Sequence, residues 1–309
     1  MINVLFSARA SQWAEYEPHL RKAFADNDLT VNLATDHQAG DVDYIVFAPS
    51  GPVSDFTPYT KTKAVLGLWA GVESIVTNTT LTQPLARMVD EGLTRGMVEW
   101  VTGHVLRHHL GMDQHILHQD GAWDDTPPPL AKDRRVTVLG MGALGAACAQ
   151  TLAGLGFPIT GWSRSAKAID GVTCLHGDDG LKTALQTADI MVLLLPLTDA
   201  TENVIDADAL ALMPKGAVII NPGRGPLIDD EALLDALNSG QIGHATLDVF
   251  RIEPLPQDHA FWAHPNVTVT PHIASTTRAD TASQVIAANI AGVERGAPLQ
   301  HKVDRDAGY

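Results

Sequence analysis

The sequence predicts an α/β protein with two domains, each built on a parallel β-sheet. Three observations carry this prediction. The chain has 309 residues, and roughly 100–200 residues make one domain. Strand-like apolar runs alternate with helix-like segments in both halves, which is typical of parallel sheets with helices on both faces. A glycine-rich turn between a strand pattern and a helical pattern opens the second half.

The elements of the first half follow from their hydrophobic periods. Apolar runs of strand length and one segment with helical spacing lie within the first hundred residues. The strand patterns cover residues 2–8, 30–34, 44–48 and 64–69, and the helical pattern covers residues 13–25.

The second half begins after a stretch with loop composition. A long helical segment at 96–119 ends in residues 121–133, which are rich in Gly, Asp and Pro. A second α/β series then runs from residue 135 to about residue 272, and an amphipathic helical segment, 277–294, follows it. We therefore place a domain junction near 121–133.

Composition excludes several classes of protein. The chain has 21 Lys and Arg against 36 Asp and Glu, a formal charge of −15, which disfavours general binding to nucleic acid or to anionic membranes. Its two cysteines, Cys148 and Cys174, are too few for a disulfide framework. No basic segment precedes an apolar one at the start, and no apolar run reaches the ~20 residues of a membrane span. We expect a cytoplasmic protein that acts on small molecules.

The glycine-rich turn has the pattern of a dinucleotide site. A strand pattern at 135–139 is followed by Gly-x-Gly-x-x-Gly and then by a helical pattern. The first glycine permits a tight turn, the second lets the backbone approach a pyrophosphate, and the third allows close packing of helix on strand. The helix N-terminus adds free N–H groups and partial positive charge. The predicted cofactor residues here are Gly140, Met141, Gly142, Ala143, Leu144 and Gly145.

The end of the next strand indicates which dinucleotide binds. The strand pattern at 158–162 is followed by Ser163, Arg164 and Ser165. An NAD site usually has a carboxylate here for the ribose 2′-hydroxyl, whereas a guanidinium flanked by hydroxyls suits a 2′-phosphate. We predict a preference for NADP(H), with NAD(H) possible. The alternative is that Arg164 is an ordinary solvated surface residue.

Three downstream stretches resemble the D-2-hydroxyacid dehydrogenase family. They are Asn-Pro-Gly-Arg-Gly at 221–225, Leu-Asp-Val-Phe-Arg-Ile-Glu-Pro-Leu-Pro at 247–256 and Pro-Asn-Val-Thr-Val-Thr-Pro-His-Ile-Ala at 265–274. With the glycine turn and Leu-Pro at 195–196, they stand in the family's order. The short first domain, the Trp-Ser-Arg strand end and the overall length resemble the bacterial glyoxylate/hydroxypyruvate reductases of the A type.

This resemblance implies a flavodoxin-like substrate domain with an inserted Rossmann dinucleotide-binding domain. Residues 1–98 and 275–309 would form the substrate domain, and residues 99–274 would form the NAD(P)-binding domain. The helical segment 96–119 and the one after His272 would be the two helices that link them.

The resemblance also implies the activity of an NAD(P)-dependent 2-oxo acid reductase and the catalytic residues that perform it. Arg224 matches the family's catalytic arginine, whose guanidinium clamps the substrate carboxylate and polarises the carbonyl. His272 matches the acid/base histidine. Glu253 matches its partner carboxylate, which favours the protonated imidazole and orients it.

Further matches concern the cofactor and the substrate. Asp248 matches the residue near the nicotinamide carboxamide, with a strand-end carboxylate that caps a turn as the alternative. Residues 70–72 match the loop whose N–H groups meet the substrate carboxylate, and Trp69 either walls the pocket or belongs to the core. The remaining cofactor residues are Leu195, Pro196, Pro222, His272 and Ala274, and the remaining substrate residues are Gly71, Val72 and Arg224.

Two departures from the family leave the substrate open. Glu73 stands where the family often has Asp, and Ala274-Ser275 replaces the pair that commonly follows the histidine. The exact 2-oxo acid is therefore open, and a reductase of bulkier 2-oxo acids is one alternative. A non-catalytic, NAD(H)-sensing corepressor-like protein is another, because corepressors of this family retain the catalytic residues.

Thirteen histidines invite a metal hypothesis. On one continuous helix, His104, His108, His115 and His118 would fall within a roughly 80° arc. A zinc site also needs a supporting carboxylate, so we expect no metal. A helix face at a domain or subunit contact is the simpler interpretation, and the resemblance implies a homodimer.

Overall fold

The computed structural model describes residues 1–305, 307 and 308. The chain divides into two compact units: Met1–Leu93 with the residues from Thr276 onward, and Thr94–Ser275. The sequence-based division into substrate and cofactor domains has its boundaries at 98/99 and 274/275 and stays a prediction. Asp306 and Tyr309, which the predicted first domain includes, lie outside the described residues.

The first unit is a parallel sheet with helices on it. Within the described residues its strands have the order β2-β1-β3-β4-β5, and all of their pairings are parallel. Strand β3 is buried along its whole length, as a strand covered on both faces must be. The elements are β1 (Ile2–Ser7), α1 (Ala10–Asp26), β2 (Val31–Ala34), β3 (Tyr44–Phe47), β4 (Ala64–Gly67), α2 (Glu73–Val76), β5 (Leu85–Ala86) and, after the second unit, α9 (Ala279–Glu294).

Two apolar clusters hold the first unit together, one on each face of its sheet. Helices α1 and α9 contribute Leu20, Ile286 and Ile290 to one cluster, and none of these side chains is more than 1% exposed. The other cluster contains Phe56 and Val303. The four longer strands and α1 match the predicted segments closely. The two-residue β5 was not predicted, because it is too short to show a period.

The second unit is a larger parallel sheet. In the part of the chain that the structure describes, its strand order is β12-β11-β10-β9-β6-β7-β8. Successive strands are added in one direction from β6 to β8 and in the other direction from β9 to β12, so the carboxyl ends of β6 and β9 are the expected ligand edge of the sheet. The elements are α3 (Glu91–His109), α4 (Met112–Leu117), β6 (Val136–Leu139), α5 (Ala143–Gly154), β7 (Ile159–Ser163), β8 (Thr173–His176), α6 (Gly177–Thr187), β9 (Ile190–Leu193), α7 (Ala207–Leu212), β10 (Ala217–Asn221), α8 (Asp230–Asn238), β11 (Ile242–Leu247) and β12 (Val267–Val269).

The predicted helix at 96–119 is wrong as a single element. Helix α3 begins earlier, at Glu91, and ends at His109, and α4 covers only Met112–Leu117. The break falls at Gly111, whose φ of +62° is left-handed backbone that a helix cannot continue through. The proposed arc of four histidines therefore does not exist, since His115 and His118 lie beyond the break.

None of the helices in the described residues has the length and apolar character that crossing a bilayer requires.

Candidate active site

The glycine turn between β6 and α5 is shaped by close backbone contacts. Gly140 has a φ of +106°, and a Cβ on it would lie 2.4 Å from the carbonyl oxygen of Leu194. A Cβ on Gly145 would lie 1.8 Å from the carbonyl oxygen of Gly140, so the helix can approach the strand only without a side chain. Gly142 instead faces open space where its Cβ would stand. The turn thus fits a pyrophosphate on the N-terminus of α5.

The end of β7 lies beside this turn. Strands β6 and β7 pair directly, Leu139 with Trp162, so Ser163 and Arg164 follow the strand at the same edge as Gly140. The hydroxyl of Ser163 donates to the carbonyl oxygen of Ser165 at 2.9 Å, and the side chains of Arg164 and Ser165 are exposed. This is where the ribose of a dinucleotide on the turn would be expected.

The loops after β9 and β10 complete the edge. The N–H of Leu194 donates to the carbonyl oxygen of Leu139 at 2.7 Å, which brings Leu195 and Pro196 next to the glycine turn. Leu195 is 7% exposed and packs in an apolar core cluster of the second unit. Pro222 follows β10 and is also buried.

Arg224 sits in a turn that its neighbours hold tightly. The Asn221 side chain donates to the carbonyl oxygen of Arg224 at 2.9 Å and accepts from the N–H of Gly223 at 3.1 Å. A Cβ on Gly225 would lie 2.0 Å from the carbonyl carbon of Phe250, so this turn presses on the segment that carries Glu253. The Arg224 guanidinium donates to the carbonyl oxygen of Gly223 at 2.6 Å and is partly exposed.

Glu253 and His272 form a hydrogen-bonded pair. One carboxylate oxygen of Glu253 accepts from the N–H of Phe250 at 2.9 Å, and the other lies 2.7 Å from Nδ1 of His272. An ionised carboxylate can only accept, so Nδ1 carries the proton and Nε2 is the nitrogen left for chemistry. The side chains are 49% and 34% exposed for His272 and Glu253, so the imidazole is accessible.

Asp248 builds the loop that carries His272. Its side chain is fully buried and accepts three hydrogen bonds, from the Thr270 hydroxyl at 2.6 Å, the Ile273 N–H at 2.9 Å and the Ala274 N–H at 2.8 Å. The N–H of His272 donates to the Asp248 carbonyl oxygen at 2.8 Å. His272 has a φ of +54°, which is uncommon for a residue with a Cβ. These contacts match the turn-capping alternative, and contact with the carboxamide stays a prediction.

The predicted substrate loop lies at the carboxyl end of β4 in the first unit. Trp69 is 41% exposed, so the core interpretation of this side chain is wrong. Its carbonyl oxygen accepts from the N–H of Met88 at 2.9 Å. Val72 is 5% exposed and is the N-cap of α2. Gly71 therefore lies immediately before this one-turn helix.

One histidine of α3, His108, contacts polar and aromatic side chains of the second unit. Nε2 of His108 lies 2.8 Å from the hydroxyl of Thr246, and the His108 and His244 rings are 4.8 Å apart. His104 is half-buried, and burial lowers its pKa. Within the described residues, no group of three or more His, Cys, Asp or Glu side chains is arranged to hold a metal ion.

A parallel sheet with a glycine turn that fits a pyrophosphate, and a histidine paired with a carboxylate at the same edge, are typical of a dinucleotide-dependent oxidoreductase. Residues 102–274, more than half of the chain, match the family model "D-isomer specific 2-hydroxyacid dehydrogenase, NAD binding domain". The chain belongs to the D-isomer specific 2-hydroxyacid dehydrogenase family.

Relatives and solved structures agree with this family. The chain is 39% identical over 255 residues, 80% of its length and 82% of the relative's, to a protein from Klebsiella pneumoniae strain 342 named glyoxylate/hydroxypyruvate reductase A. A D-isomer specific 2-hydroxyacid dehydrogenase from Xanthobacter autotrophicus Py2, in complex with NADPH and MES, is 38% identical with a TM-score of 0.92 over 100% of this chain and 99% of that one.

A third similar protein is a reductase of solved structure. An NADPH-dependent glyoxylate/hydroxypyruvate reductase from Sinorhizobium meliloti, in complex with NADP and sulfate, is 35% identical. Its TM-score is 0.87, and the match covers 100% of this chain and 99% of that one. The chain is therefore similar to reductases of this type.

Proposed function

We propose that this enzyme reduces a small 2-oxo acid of the glyoxylate or hydroxypyruvate type to the D-2-hydroxy acid with NADPH. The observation that carries the proposal is the 2.7 Å contact between Nδ1 of His272 and Glu253, on the sheet edge that also bears the Arg224 turn. The names and bound nucleotides of the K. pneumoniae, X. autotrophicus and S. meliloti proteins support it.

Residues at one sheet edge would hold the cofactor. The amides of the turn from Gly140 to Gly145 take the pyrophosphate, while Ser163, Arg164 and Ser165 take the 2′-phosphate as hydrogen-bond donors. Leu195, Pro196 and Pro222 line the same edge. When bound, the reduced cofactor supplies a hydride to the carbonyl carbon.

The side chains do the rest of the chemistry. Arg224 binds the substrate carboxylate and draws electron density onto the carbonyl oxygen. Nε2 of His272 gives that oxygen a proton as hydride reaches the carbon, so the carbonyl becomes a hydroxyl and the cofactor is oxidised. Glu253 stabilises the imidazolium before the transfer and keeps the ring oriented afterwards. In the first unit, the residues proposed to contact the substrate are Gly71 and Val72, through their N–H groups, and Trp69, through its ring.

The first experiment measures NADPH oxidation with a panel of 2-oxo acids. We expect the highest kcat/KM with glyoxylate or hydroxypyruvate, and lower values with pyruvate, phenylpyruvate and branched acids. A maximum with the bulky acids would favour the second reductase hypothesis. Tight NADPH binding without turnover of any acid would favour the corepressor-like alternative and contradict the proposal.

The second experiment tests the choice of cofactor. We expect kcat/KM to be much higher with NADPH than with NADH, and comparable values would contradict the preference. The variant Arg164→Ala should raise the KM for NADPH roughly tenfold and leave that for NADH nearly unchanged, because only NADPH carries the 2′-phosphate. Lys182→Ala, an exposed cation elsewhere in the second unit, is the matched control.

The proposal includes a homodimer and a cytoplasmic location. Residues 112–130 hold a run of exposed large apolar side chains, and such patches mark contact surfaces. Trp123 is 93% exposed, Leu117 71% and Ile116 65%. Light scattering should give twice the 33.0 kDa chain mass, and Trp123→Asp should shift the mass toward the monomer. A monomeric wild-type protein at micromolar concentration would contradict the dimer.

A further inference from the structure

We propose that Arg305, near the C-terminus, is a positioning residue for the substrate loop of the first unit. Its side chain holds the far end of α2, the one-turn helix that the loop enters through Gly71 and Val72. The inference rests on the proposed function, because it takes this loop to be the one that receives the substrate carboxylate.

The guanidinium of Arg305 donates to three backbone carbonyls in one short stretch. They belong to Val76 at 3.3 Å, Asn78 at 3.0 Å and Leu81. Val76 is the last residue of α2, and Asn78 and Leu81 lie in the turn that follows. A planar fork with five donors suits several carbonyls at once.

Helix α2 needs such a partner. It has four residues, and a helix this short is not stable by itself in water. The last carbonyls of any helix have no partner within it, and a basic side chain can satisfy them. Four residues at about 1.5 Å each put Val72 within about 6 Å of the end that Arg305 holds.

The C-terminal tail is itself fixed where it reaches α2. The N–H of Val303 donates to the carbonyl oxygen of Leu85 at 2.8 Å, and the N–H of Arg87 donates to the carbonyl oxygen of His301 at 3.1 Å. Val303 is 4% exposed and belongs to the same apolar cluster as Val72, Ile75 and Leu81. The tail therefore contacts the α2 segment twice, through an apolar side chain and through a guanidinium.

This bracing should act on substrate binding rather than on hydride transfer. A loop already in its binding conformation saves the cost of ordering it when the carboxylate arrives. Without Arg305 that cost falls on the binding step, so the KM for the 2-oxo acid should rise. The groups proposed for proton and hydride transfer belong to the second unit, so kcat and the Kd for NADPH should change little.

The test compares Arg305→Ala, Arg305→Lys and the control Lys302→Ala, whose residue lies in the same tail and is exposed. We expect Arg305→Ala to raise the KM for glyoxylate roughly tenfold with kcat within about twofold, as loss of charge-assisted hydrogen bonds predicts. The KM of Arg305→Lys should lie between those of Arg305→Ala and wild type, because a compact ammonium keeps the charge but lacks the wide planar fork that reaches all three carbonyls. An unchanged KM in Arg305→Ala, or a control that matches it, would overturn the inference.

Hydrogen exchange gives a readout that does not need activity. Amides of residues 71–81 should exchange faster in Arg305→Ala than in wild type, while those of α5 should not. Unchanged exchange at 71–81, or faster exchange throughout the first unit in both Arg305 variants, would overturn the bracing role. If the wild-type protein reduced no 2-oxo acid, the proposed function would fail and exchange would still test the bracing role.

Discussion

The two units of this enzyme use the same architecture but hold their functional loops differently. Both carry them at the carboxyl ends of parallel strands. In the second unit, the loop of His272 is fixed by Asp248, only 26 residues from Ala274. In the first unit, the segment after Gly71 and Val72 is held by Arg305, which lies 224 residues from its partner Leu81.

The two ways of holding a loop differ in how visible the site is in the sequence and in which kinetic parameter the loop should control. Local holding puts the contact and the catalytic residue in two neighbouring motifs, so the chemistry of the second unit is visible in the sequence. In the first unit the residue that holds the segment lies far along the chain, so the substrate loop itself shows only an ordinary Ala-Gly-Val. Changes at the His272 loop of the second unit should therefore act on kcat, and changes at the substrate loop of the first unit on the KM for the 2-oxo acid.

The largest expected effect concerns the groups that do the chemistry. His272→Ala or Arg224→Ala should lower kcat/KM by about 10²- to 10⁴-fold, the usual contribution of a positioned acid or charge clamp. The circular dichroism spectrum and the unfolding midpoint should stay near wild type. His115→Ala, an exposed histidine of the same unit, serves as the control. A rate close to wild type in either variant would refute the assigned role.

Asp248→Asn should come next in size. The side-chain nitrogen of Asn cannot accept a hydrogen bond, so the N–H of either Ile273 or Ala274 would lose its partner. The His272 loop should therefore shift. We expect kcat to fall roughly 10- to 100-fold, as for a small misplacement of a catalytic group, with the Kd for NADPH nearly unchanged. A large rise in that Kd with normal kcat would instead favour contact with the carboxamide.

Trp69→Ala tests the substrate loop of the first unit. Because the ring is partly exposed in the first unit, its loss should raise the KM for glyoxylate only a few-fold, less than the ~1–3 kcal/mol of a contact in a closed apolar pocket. The value of kcat should change less. Steady-state kinetics at saturating NADPH separates the two parameters, and a fall in kcat alone would break the proposed division between the units.

The smallest effect is an acid sensitivity of the second unit. Burial, with His244 nearby, lowers the pKa of His108 to about 3, and burial, with Arg107 nearby, lowers the pKa of His244 to about 4. At a pH below the ordinary pKa near 6.5, both rings take up protons when the protein unfolds. Their contribution to the free energy of unfolding is therefore fully present above that pH and declines toward pH 4. Urea midpoints at pH 7 and pH 5 measure the decline, at most ~1 kcal/mol per pH unit for each partly buried ring.

A variant pair isolates that contribution. His108→Gln should reduce the difference between the two midpoints, and the exposed His115→Gln should leave it unchanged. An equal pH dependence in His108→Gln and wild type would show that the buried rings are not responsible.

Much of the candidate site could be predicted from the sequence because its parts act through local geometry. The three glycines stand within six residues, and the contact that requires Gly145 to lack a side chain is with Gly140 of the same turn. The identity of Arg224, Glu253 and His272 follows from motifs within one unit. The break of the predicted long helix at Gly111 was missed, because one glycine inside a helical pattern is often tolerated.

The sequence by itself determined the fold class, the dinucleotide turn and the residues proposed for catalysis, since hydrophobic period and short motifs are properties of neighbouring residues. Only the tertiary structure decided what Asp248 holds, that Trp69 is exposed and that Arg305 reaches the end of α2. These depend on which distant segments pack together, and no local pattern along the chain encodes that choice.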